Sequence, residues 1–160
     1  MAIRCSTCGK GKMVSSHVKD YDVSALMGLK PVVLVHAPAL VCDKCNAVML
    51  DGEVIEGATD ALARLIVRTA DELRPAEVRF LREVLGMKQA ELAERLGVNR
   101  VTIARWETED GALGGMTSLA LRTLVAWHLD DAKLARDVGA PSRRPGHAKV
   151  KRPYRLDAVA

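Results

Sequence analysis

Two Cys-x-x-Cys pairs, Cys5/Cys8 and Cys42/Cys45, constrain this chain more than any other feature. Each pair brings two thiols to one side of a tight turn, and Gly9 and Asn46, directly after the pairs, suit the backbone of such turns. Four sulfurs complete a tetrahedral shell with no open position, so the pattern points to one structural Zn2+ per chain and not to hydrolysis. Outside the cell the same residues would serve as two disulfides, and a dithiol redox centre is the other competing reading. In a reducing compartment, however, paired thiols are more often metal ligands, and redox pairs usually open a helix within a βαβ unit, a setting neither pair has. His17 and His36 lie between the pairs and are read as ordinary strand residues.

Between the cysteine pairs, residues 13–19 and 32–41 have strand character, the run Val32-Val33-Leu34-Val35 being β-branched and apolar. Pro38 implies an edge or a bend, and residues 28–31 a turn. The simplest assembly is a small antiparallel sheet pinned by the metal at its open end. So small a core is marginal alone, whereas metal binding by thiolates is worth on the order of 10–16 kcal/mol in comparable small sites. Helical spacing then runs through Val54, Ile55, Ala58, Leu62, Leu65 and Ile66, predicting a helix over 53–69 with Asp51 as its cap. Both a rigid spacer and a packing surface for a partner fit this helix.

Residues 89–107, QAELAERLGVNRVTIARWE, encode two short helices meeting at a corner. Leu92, Ala93 and Leu96 form one apolar stripe, Gly97 can take positive φ just past the first helix, and Asn99 is a good N-cap for the second. Stepping at about 100° per residue puts Ile103 and Trp106 on one face and Arg100, Val101, Ala104 and Arg105 on the other. Such a face suits the DNA major groove, where arginine can make a bidentate contact to guanine and an apolar side chain can meet a thymine methyl.

The residues Gln89, Leu92-Ala93, Leu96-Gly97-Val98, Ile103 and Arg105-Trp106-Glu107, led in by Leu85-Gly86, resemble the helix-turn-helix of the Cro/phage-repressor (XRE) class over about residues 75–130. The resemblance implies that Gln89 and Asn99 hold backbone phosphate, that Arg100, Val101 and Arg105 face bases with Thr102 on the DNA-binding side, and that Glu107 pairs internally with Arg82. Lys88 stands where Ser, Thr or Asn is a common cap. It exchanges a cap worth about 1 kcal/mol for an added phosphate contact. The acidic loop of residues 107–111 should repel DNA and is expected to point away from it.

Pro75 opens a helix running to Leu85 with Val78, Leu81, Arg82 and Leu85 on its packed side. Thr117 or Ser118 caps another helix through Leu129, and a last short one covers 132–138; their far edge is a candidate dimer surface. Pro, Gly and cations dominate from Gly139 onward, which reads as a disordered basic tail. Aromatic residues are only 3% of the chain, so the core must be aliphatic, and the net charge of +4 is compatible with nucleic acid without proving it. No charge-free run is long enough for a membrane span and MAIRCSTC lacks a secretory apolar segment, so a cytoplasmic protein is expected. No nucleophile–base pair, open metal site or phosphate-cradling loop is evident, and no enzymatic role is expected.

The fold class expected is therefore α+β in two domains: a zinc-bound antiparallel sheet over 1–50, a connecting helix over 51–72, an all-α five-helix XRE-type domain over 73–138, and the tail over 139–160. With Cys5, Cys8, Cys42 and Cys45 ahead of this helix-turn-helix, the chain resembles the YgiT-type zinc-finger/MqsA antitoxin family. That resemblance implies a homodimeric repressor of its own operon, binding palindromic double-stranded DNA, whose N-terminal region neutralises a toxin, typically an mRNA-cleaving ribonuclease. The alternative is a stand-alone XRE-family regulator with a structural zinc module and no toxin partner.

Overall fold

The computed structural model describes residues 3–70, 72–109, 113–139 and 154–157. Its first elements are β1 (Met13–Val18), β2 (Tyr21–Asp22), the one-turn helix α1 (Ser24–Met27), β3 (Val32–Val35), β4 (Ala37–Cys42) and β5 (Val48–Met49). The run expected as one strand over 32–41 is split, because His36 adopts a left-handed φ of 54° and turns the chain. His36 is thus a corner and not a strand residue, whereas His17 does lie in β1. Pro38 falls two residues beyond the corner, where, among the described residues, β4 is flanked by β1 alone, since β5 pairs with Leu40 and Val41.

The split produces two three-stranded sheets in place of one. The order β1-β4-β5 is antiparallel throughout, with Met13 opposite Cys42, and it is the expected sheet with the cysteines at its open end. The second has the order β2-β3-β6, where β6 (Tyr154–Asp157) comes from the region expected to be a disordered tail and pairs parallel to β3. The expectation of disorder is corrected for these four residues; the other tail residues, apart from Gly139, lie outside the described set. The reason is a period-2 pattern that the surrounding cations obscure: Tyr154 and Leu156 are buried, Arg155 and Asp157 exposed. Burying the two apolar side chains contributes about 1.5–3 kcal/mol each. That nearly balances ordering four backbones at about 1–2 kcal/mol apiece.

The helical part consists of α2 (Gly52–Thr69), α3 (Pro75–Val84), α4 (Gln89–Leu96), α5 (Arg100–Thr108), α6 (Gly115–His128) and α7 (Ala132–Gly139). Asp51 caps α2 by accepting from the Glu53 N–H at 3.2 Å. This helix buries Ala58, Leu62, Ala63, Ile66 and Val67, and it packs on β6, α3, α6 and α7. It is therefore a shared wall within the molecule, and the buried residues on its two sides form one continuous core. The helix expected to start at Thr117 or Ser118 begins earlier, with Gly114 at the N-cap and Ser118 buried inside. Paired backbone bonds between Leu73 and Leu113, at 2.7 and 2.8 Å, fix the chain just before it. Asp131 caps α7 through the Leu134 N–H at 2.8 Å and also takes Arg64 at 2.7 Å. No helix among the described residues is long and apolar enough to cross a membrane.

Candidate nucleic-acid interface and metal site

Two glycines set the geometry around α4. Gly86 and Gly97 both have positive φ, of 66° and 67°, and each ends a helix in the same way. Met87 N–H reaches Arg82 O at 3.2 Å and Gly86 N–H reaches Glu83 O at 2.9 Å; after α4, Val98 N–H reaches Ala93 O at 2.9 Å and Gly97 N–H reaches Glu94 O at 3.2 Å. This double bonding is the Schellman closure, which satisfies end carbonyls and turns the chain sharply. Lys88 supplies no side-chain cap at the start of α4, but the Glu91 carboxylate reaches back to its N–H at 2.6 Å, replacing half of what the missing cap would give.

Asn99 caps α5, its Oδ1 accepting from the Thr102 N–H at 2.9 Å and from the Thr102 hydroxyl at 3.1 Å. Inside, Ile103 is fully buried and Trp106 packs against the core. Outside, Arg100 and Arg105 are exposed, and Val101, 64% exposed, stands beside them. The helix is held from behind by Arg82 of α3, whose Nε lies 2.5 Å from Glu107 Oε1 and whose Nη2 lies 3.2 Å from Oε2. Arg82 also donates to Met87 O at 2.8 Å, tying the start of the motif into the same network.

Two residues have partners beyond those expected. The Gln89 amide donates to Glu107 Oε2 at 2.9 Å, which ties the residue expected at a phosphate to the internal ion pair. The acidic loop does not point wholly away: Glu109 pairs with Arg105 at 3.2 Å, and residues 110–112 lie outside the described set. Both side chains are about two-thirds exposed, at 67% and 64%. An exposed pair of this kind is worth about 0–1 kcal/mol and is readily exchanged for a phosphate or a base edge.

The four cysteine sulfurs lie within 4.8 Å of one another. Cys5 and Cys45 Sγ are 3.7 Å apart and Cys8 and Cys42 Sγ are 3.8 Å apart, against about 3.8 Å for the edge of a tetrahedron with 2.3 Å metal–sulfur bonds. Backbone N–H groups of Gly11 and Lys44 point at Cys8 and Cys42 Sγ, both at 3.4 Å. The backbone N–H of Cys8, with that of Thr7, draws the Cys5 thiol down to about 6 against the opposing effect of burial. Those of Lys10 and Gly11 draw Cys8 down. Cys45 receives the Ala47 N–H, yet sharing with Cys42, burial, and the neighbouring Cys8 and Cys5 push it up to about 12. Four clustered thiols cannot all ionise unless a cation balances them, and the donor set therefore fits a metal ion. Gly11 and Asp43 complete the cage and were not evident from the cysteine spacing. A Cβ at Gly11 would collide with Cys42 Sγ, and Asp43 Oδ1 accepts from the Lys12 N–H at 2.9 Å.

Residues 78–121 match the helix-turn-helix family. No curated protein matches the chain. The match runs from within α3 to the middle of α6, the same segment in which the corner, the Arg82–Glu107 pair and the outward arginines are found. This part of the chain is an XRE-type helix-turn-helix, a DNA-binding domain, and it is preceded by a four-cysteine cluster able to hold a metal ion.

Proposed function

We propose that this DNA-binding regulator is a homodimeric, cytoplasmic, non-catalytic repressor, the antitoxin of a type II toxin–antitoxin pair, with one structural Zn2+ held by Cys5, Cys8, Cys42 and Cys45. The observation that carries the DNA reading is α5 itself: Arg100, Val101 and Arg105 face outward while Arg82 and Glu107 fix the helix from behind. In this role Arg100 and Arg105 read base edges, Val101 meets a thymine methyl, and Lys88, Asn99 and Thr102 lie toward the phosphates.

Dimerisation is supported by α6. Met116 is 79% exposed and Trp127 69% exposed, and they share one helical face with Ala120 and Thr123. Two copies joined there would offer recognition helices to successive major grooves about 34–36 Å apart on a palindromic site. The antitoxin half is supported by surface between the cysteine module and the start of α2: an open groove of about 670 Å³ bounded by His17, Pro38, Leu40, Met49 and Val54. A ribonuclease-type toxin is the partner this reading assigns to that face.

Selection of bound duplexes from a random pool, followed by sedimentation of the complex, tests the DNA reading; a palindrome bound by two chains is expected, and absence of any sequence enrichment would overturn it. Co-expression with the product of the adjacent reading frame tests the antitoxin reading. Relief of growth arrest that is lost when Met49, 42% exposed on this groove, is replaced by Asp is expected, and no effect of the native chain on growth would leave a stand-alone regulator.

A further inference from the structure

β6 is an unusual strand for this fold. It has four residues and, among the described residues, lies at the edge of its sheet and joins in parallel where the other strand pairings are antiparallel. Fourteen residues separate it from the end of α7. Its inward side chains enter a shaped site: Tyr154 is fully buried and Leu156 is 4% exposed, against β3 and α2. The Tyr154 hydroxyl donates to the carboxylate of Glu77, which is itself 1% exposed, and accepts from Arg74 Nη2 at 2.6 Å. Its backbone N–H is held by Pro31 O at 3.0 Å. Outside, Arg155 pairs with Asp20 at the surface.

These are the parts of a strand-addition site: a sheet edge supplies main-chain bonds for affinity, and pockets for alternate side chains supply selectivity. We infer that the β3 edge, α2 and the N-terminus of α3 form a binding site for an extended Tyr-x-Leu segment, and that Tyr154–Asp157 is its exchangeable ligand, held in cis. A strand of four residues, held through one edge and two inward side chains, is short enough to leave and return as a unit. Release leaves the β3 edge open to another strand. It also removes one of the partners of Glu77 on α3, the helix whose far end carries Arg82 and so braces α5.

The test uses the full chain with a site for a sequence-specific protease placed within residues 140–153. After cutting, a labelled synthetic peptide of residues 152–160 is titrated by fluorescence anisotropy, with circular dichroism following the fold. Saturable uptake by the cut protein is expected, together with much weaker uptake by the uncut protein, whose site is filled. The Tyr154→Phe peptide should bind about ten-fold or more weakly, because the carboxylate it leaves is buried, and the Leu156→Asp peptide should not compete. Unfolding on cutting would overturn the inference by making β6 an integral part of the fold. So would a folded cut protein that takes up no peptide, or uptake indifferent to both substitutions. A dimer of the uncut chain that is lost on cutting would overturn the cis assignment in favour of strand exchange between two copies.

Discussion

Arg82 and Glu107 form a two-point ion pair nearly closed to solvent, their side chains 12% and 4% exposed. A helix that precedes the helix-turn-helix thus fixes the orientation of α5. Removing Glu107 leaves the largely buried Arg82 guanidinium with Met87 O and a longer, 3.6 Å pairing to Glu83. Glu107→Ala is expected to lower the unfolding free energy by about 3–5 kcal/mol in urea titration. Replacing both, Arg82→Met with Glu107→Leu, should lower it by less. Equal losses for the single and double variants would contradict this account of the pair.

Gly97 and Gly11 should respond to the same substitution for different reasons. A Cβ at Gly97 meets nothing within 4 Å, so Gly97→Ala carries only the left-handed backbone penalty of about 1–2 kcal/mol, and Gly97→Asn should recover part of it. At Gly11 the added methyl strikes Cys42 Sγ. Gly11→Ala is expected to reduce metal retention during dialysis against a weak chelator, while Gly97→Ala leaves retention unchanged.

Metal removal should unfold the sheet β1-β4-β5 before the helices. Hydrogen exchange in the presence of a strong chelator is expected to lose protection first over residues 13–18 and 37–49, with α4 and α5 retaining more. Equal loss over both regions would mean that the cluster does not selectively stabilise its own sheet. Metal analysis of the native protein should return one zinc ion per chain.

Asp131 gives the acid limb of stability a predictable part. The Leu134 backbone N–H, then Arg64 and Arg68, hold its carboxyl below the usual aspartate range against partial burial. A depressed folded value stabilises above the unfolded pKa, and that stabilisation disappears as pH falls through the folded one. Asp131→Asn should therefore be less stable than the native chain at neutral pH, and the two should converge in acid. A gap that persists at the lowest pH where both still fold would contradict the assignment.

The sequence makes local features legible because each is decided by one or two residues. Gly97 ends α4, Asn99 caps α5, Pro75 opens α3, and the cysteine spacing encloses one tetrahedral site. Less legible are the features that depend on partners far along the chain. His36 splits a β-branched run by adopting a conformation that its residue type does not announce. The hydrogen bond from Gln89 to Glu107, eighteen residues away, is another such feature. β6 was hidden by the cations around it, although Tyr-Arg-Leu-Asp carries the alternation of a half-buried strand.

Lys88 and Arg105 separate positioning on DNA from reading it. Lys88→Ala should weaken binding to all duplexes alike and reduce the salt slope by about 0.9. The central claim is tested most directly by the affinity of Arg105→Ala for the selected duplex and for a scrambled one at the same salt. The account predicts a loss of about ten-fold or more on the selected duplex, with little change on the scrambled one. Equal loss on both would contradict it.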